Sequence, residues 1–132
     1  MKRLFAVTAF AVVLIVGVSC GKDNGPVAGI LNVRLTSPNS GADSAIVFTI
    51  NSPAPLTSAT AGAGLRLFAQ PLTGNVTRFA LTGRLTTATT ILTIGVANVN
   101  AASQYVGTIQ GVAQPNYALR PLPGGYALTV IR

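Results

Sequence analysis

Side chains able to move protons, attack carbonyls or hold metals are scarce in this 132-residue chain. It has no histidine and no glutamate, and its only carboxylates are Asp23 and Asp43. A Ser-His-Asp or Cys-His arrangement needs an imidazole, and a glycosidase needs two facing carboxyl groups, so neither can be assembled. Zinc would find no imidazole, and the one thiol is Cys20. Asn39, Ser40 and Asp43 could offer oxygens to calcium from one loop, but a single carboxylate compensates poorly for dehydrating a divalent ion. That stretch reads as a polar turn. The expectation is a non-catalytic protein with no cofactor and no metal.

What chemistry remains belongs to arginine and tyrosine. Lysine and arginine outnumber aspartate by 9 to 2, a formal charge of +7. Arg34, Arg66, Arg78 and Arg84 fall on alternate positions of strand-like runs, on the side facing water. Guanidinium groups there could solubilise a sheet face or meet phosphate, lipid headgroups or acidic glycans. Tyr117 sits in a loop next to Asn116, near Arg120, which suits a sugar stacking on a ring beside polar donors. Tyr105, Tyr126 and Phe68 are expected to be half-exposed at the rim of the core. Tyr117, Arg120, Arg66 and Arg78 are therefore the candidate ligand-binding residues. Nucleic acid is not an expected partner, because basic and aromatic residues do not interleave.

The N-terminus opens with Lys2-Arg3, runs apolar from Leu4 to Val18 with only Thr8 interrupting, and reaches Ser19-Cys20-Gly21. As a helix, the fifteen-residue apolar run would rise about 22 Å, short of a bilayer's ~30 Å hydrocarbon core. The layout is that of a cleaved signal peptide. Val16-Gly17-Val18-Ser19-Cys20 resembles the lipobox of bacterial lipoproteins. The resemblance implies cleavage after residue 19, a diacylglyceryl group on the Cys20 sulfur and palmitate-type acylation of the freed amine. Two or three acyl chains hold a protein on a membrane where one does not. Residues 20–28, with Lys22, Asp23, Asn24, Gly25 and Pro26, then form a flexible tether. Gly21 is not the aspartate that marks inner-membrane retention in that family, which favours the outer membrane. With the thiol consumed, no disulfide holds the fold, and losing Lys2 and Arg3 leaves a charge of +5.

From residue 29 to 132 the hydrophobic period is two, the mark of strands. Leu31, Val33 and Leu35 alternate with Asn32, Arg34 and Thr36, and Ile46, Phe48 and Ile50 repeat the pattern before Pro53 and Pro55 stop it. Thr60 to Gly64 lack large side chains and read as a linker. Leu65 to Phe68, Val76 to Leu85, Ile91 to Val96, Tyr105 to Val112 and Tyr126 to Val130 complete the set, with one helical turn at Val99 to Ser103. Gly107 and Gly111 mark a bulge or a close backbone approach. About seven strands and no crossover helix predict an all-β antiparallel β-sandwich. Strand number and length loosely resemble the Ig-like and cohesin-like modules of bacterial envelopes. The reading that follows is a lipid-anchored cell-envelope module, structural or protein-binding, with glycan binding as the alternative. Its partners would be the membrane, an envelope protein or a polysaccharide.

Overall fold

The structure, a computed structural model, describes residues 25–132. The expected signal peptide, Cys20 and most of the tether lie outside the described residues. Eight strands follow: β1 (Gly29–Thr36), β2 (Asp43–Asn51), β3 (Ser58–Ala61), β4 (Arg66–Pro71), β5 (Val76–Leu85), β6 (Thr89–Val96), β7 (Val106–Ala113) and β8 (Ala127–Ile131), with a 3-10 segment at Val99–Gln104 before β7. They form two antiparallel four-stranded sheets, ordered β3-β6-β1-β8 and β4-β5-β2-β7. An antiparallel β-sandwich is what the alternation predicted. Among the described residues no helix is long and apolar enough to cross a membrane.

Inward positions of both sheets meet in one core. Leu31, Val33, Leu35, Leu92, Ile94 and Val96 come from the first sheet, and Ile46, Phe48, Ile50, Phe79, Leu81 and Val112 from the second, all buried. Phe48 and Phe79 face each other across β2 and β5 with ring centroids 5.6 Å apart. In a body without a described disulfide, aromatic and branched side chains of this kind supply about 1.5–3 kcal/mol each on burial.

Three details depart from the sequence reading. There are eight strands, because Ser58–Ala61, partly assigned to a linker, is an edge strand on β6. Its small side chains are what the position needs: Gly62, just beyond it, donates to the Ile91 carbonyl at 2.8 Å, while Ala59 and Ala61 pack on the core. Pro71 closes β4 from within, on an edge where a missing N–H costs no ladder bond. Tyr105 and Tyr126, expected at the rim, are buried.

Gly111 lies at the expected bulge, whereas Gly107 is approached by side chains and not by another backbone. The β2–β7 register shifts between Val47 and Phe48, opposite Gly111 and Ile109. A Cβ on Gly107 would stand 3.0 Å from the Leu128 side chain, so its absence lets β8 approach.

Strand direction gives the sandwich two distinct ends. β1 begins at the near end, where Val27 exchanges hydrogen bonds with Asn98 and Val99. The far end carries the β1–β2, β3–β4 and β5–β6 turns and the long β7–β8 connection.

Candidate functional site

The β7–β8 connection is the longest loop between strands, and much of it is built rather than slack. Gln114 accepts from Tyr117 N–H at 2.9 Å, Gln114 N–H donates to the Ala118 carbonyl, and Arg120 N–H donates to the Val112 carbonyl. Ala113 and Leu119 form a bridge. Residues 112–120 are thus a small hairpin with Pro115-Asn116-Tyr117 at its tip, where Asn116 Oδ1 accepts from Ala118 N–H at 3.0 Å. In this three-residue loop the last residue must be left-handed. Glycine or asparagine normally sits there; here Tyr117 does, at φ +69. Its ring is 89% exposed, and Leu119 beside it 75%.

Behind the hairpin a polar junction fixes its base. Asp43, 2% exposed at the start of β2, accepts from Arg120 Nε at 2.7 Å through Oδ1. Its Oδ2 accepts from the Tyr126 hydroxyl, which in turn accepts from Asn39 Nδ2 at 2.8 Å. The head of β2, the base of the hairpin and the residue ahead of β8 are thus joined through one carboxylate. The pairing with Asp43 raises the Arg120 pKa above its ordinary value. Burial, and then the hydrogen bond to Asp43, raises that of Tyr126.

The candidate residues therefore separate. Arg120, paired with Tyr117 as a sugar site in the sequence reading, is spent on Asp43, with its Nη2 3.5 Å from the Ala42 carbonyl; it positions the hairpin. Asn39 enters the same junction through its Nδ2, both Asp43 oxygens are held there, and Ser40 Oγ accepts from Thr87 N–H at 2.9 Å. Among the described residues no three Asp, Glu, His or Cys side chains come together.

Arg66 and Arg78 lie on the outer face of the second sheet, while Arg34 lies on the outer face of the first. The outer rows of the second sheet run Arg66–Thr82–Ala45–Ala113, Phe68–Ala80–Val47–Gly111 and Gln70–Arg78–Thr49–Thr108. Phe68, 58% exposed, stands in the row between the two arginines. A shallow hollow of about 140 Å³ opens beside it, lined by Phe68, Ala69, Gln70, Arg78 and Ala80. Arg78 is steadied by Gln110, whose Oε1 accepts from its Nε at 3.2 Å.

Sequence reasoning missed the Asp43 junction and Leu119. Comparison with protein-family models, curated proteins and solved structures finds no match to the chain.

Proposed function

We propose that this chain is a lipid-anchored, non-catalytic module of the cell envelope that holds another envelope protein at the end of the sandwich farthest from its anchor. Anchoring rests on the resemblance of Val16-Gly17-Val18-Ser19-Cys20 to a lipobox, and the choice of the outer membrane on Gly21. The observation that carries the binding role is Tyr117. A bulky residue at left-handed φ costs about 1–2 kcal/mol that glycine would not, on a hairpin pinned from behind by Asp43 and Arg120. Strain kept on an exposed ring is accounted for by a ring that is used. Its apolar neighbour Leu119 extends the contact, and rigid aromatic anchors of this kind dominate protein interfaces.

Two measurements test the reading. Radiolabelled palmitate is expected to label the wild type and not Cys20→Ser; equal labelling removes the anchor. A photo-crosslinking residue at 117 is expected to capture one discrete envelope protein in intact cells, whereas the same residue at exposed Thr73, in a near-end turn, captures none. Absence of an adduct at 117, or the same adduct from both positions, overturns the binding role.

A further inference from the structure

The solvent-facing side-chain charge of the described residues is of one sign. Their single acidic side chain, Asp43, is buried and paired with Arg120, which leaves Arg34, Arg66, Arg78, Arg84 and Arg132 with no carboxylate side chain on the surface around them. Three of these five belong to the second sheet. Arg84 follows a bulge at Gly83 and folds over the β1–β2 turn, its Nη2 3.0 Å from where a Cβ on Gly41 would stand. Arg66 and Arg78 stay on the open sheet face.

From these observations we infer that the outer face of the second sheet binds an acidic polysaccharide, with Arg66 and Arg78 on carboxylates of the chain and Phe68 under a sugar ring between them. The inference is independent of the protein-binding role of Tyr117. Its geometry follows from the register. Arg66 is paired with Thr82, and Arg78 stands four residues before Thr82 on β5. At ~3.3 Å per residue along a strand and ~4.8 Å between strands, the two Cα atoms are about 14 Å apart. An extended polymer bearing one carboxylate per sugar or per disaccharide can meet both.

Each element of the face suits that ligand. A planar guanidinium grips a carboxylate with two parallel hydrogen bonds, and the bond from Arg78 Nε to Gln110 fixes its plane while leaving the Nη amines without a protein acceptor among the described residues. Phe68 offers an exposed flat ring to the apolar face of a pyranose. Gln70, Thr49, Thr82 and Thr108 stand in the same rows as hydroxyl partners. The rows are open over β4 and β5, while Leu119 of the hairpin borders the face at its far end beside Ala45, Val47 and Ala113. A bilayer is the less suitable partner, because this face runs along the side of the sandwich, whereas the chain enters the body at the near end.

The test is affinity electrophoresis and titration calorimetry of the full chain in detergent, with polygalacturonate as the probe, neutral galactan and polyphosphate as comparisons, and detergent micelles containing anionic lipid as a fourth arm. Retardation by polygalacturonate and not by galactan is expected. Arg66→Gln and Arg78→Gln are each expected to weaken binding about tenfold or more, Phe68→Ala to weaken it several-fold, and Arg34→Gln, on the opposite sheet, to change it less than twofold. Arg78→Lys, which keeps the charge and loses the fork, is expected to fall between wild type and Arg78→Gln. Circular dichroism verifies that each variant is folded. No retardation by polygalacturonate overturns the inference. So does an equal loss from Arg34→Gln, binding to polyphosphate or anionic lipid that is as tight and insensitive to Phe68→Ala, or binding to galactan of the same strength.

Discussion

Replacing Tyr126 by phenylalanine removes one oxygen atom from the junction that fastens the β7–β8 hairpin to the rest of the sandwich. In the wild type that oxygen donates to Asp43 Oδ2 and accepts from Asn39 Nδ2. The variant leaves a buried carboxylate with Arg120 as its remaining side-chain partner. A hydrogen bond to a charged group contributes about 1.5–3 kcal/mol, and water cannot easily replace the hydroxyl at a site this closed. A loss of ~2 kcal/mol is expected, which for a body of about one hundred residues lowers Tm by roughly 8–12 °C. The second signature is in the pH profile. Burial raises the folded-state pKa of Tyr126 above the unfolded value near 10. The folded state therefore keeps a proton that the unfolded state gives up, so this contribution is fully present below about pH 10 and is lost as pH rises through the folded value. Thermal melts followed by circular dichroism between pH 7 and 11 should show the wild-type advantage shrinking above pH 10, and Tyr126→Phe without that part of the alkaline decline. A neutral-pH loss under about 0.5 kcal/mol, or an alkaline limb identical in both proteins, would refute the assignment of this junction as the hairpin's fastening.

Tyr117→Gly relieves a left-handed tyrosine at the cost of a freer unfolded chain, so thermal melts should show stability unchanged or raised by up to about 1 kcal/mol, while the crosslinked or co-purified partner is lost. Gly83→Ala is expected to cost about 2 kcal/mol or more by urea denaturation, since Gly83 has φ +133 and its Cβ would meet the Gly64 carbonyl oxygen at 2.7 Å. Phe48→Ala opens a cavity against Phe79 at the centre of the core and should cost about 3–5 kcal/mol.

Much of the fold was legible because burial here has period two and little else competes with it. Val76 to Leu85 was bounded correctly since Thr73-Gly74-Asn75 is turn chemistry and Phe79 and Leu81 alternate with outward Arg78, Ala80 and Thr82. β3 was not, because an edge strand of serine, alanine and threonine has no large side chain to reveal a period; the signal lay in its partner, since Ser58 packs against Gly95. Arg66 and Arg78 were legible as outward residues, but their shared face required the β4–β5 register. Arg120 misled because its ion pair is with Asp43, far away in sequence. A lone aspartate in a strand-rich chain was the available clue: such a group, if buried, must be paired.

The neighbours of β1 come from the far side of the sequence. β1 is flanked by β6 and β8, so its first ladder waits for Thr89–Val96 and its second for Ala127–Ile131. The second sheet closes earlier, with β2 pairing to β5 and then to β7. Loop closure over such separations is slow compared with hairpin formation. β1 therefore stays an unpaired apolar ribbon while β2 to β5 are made, is covered on one edge by β6, and is clasped on the other by the five-residue β8.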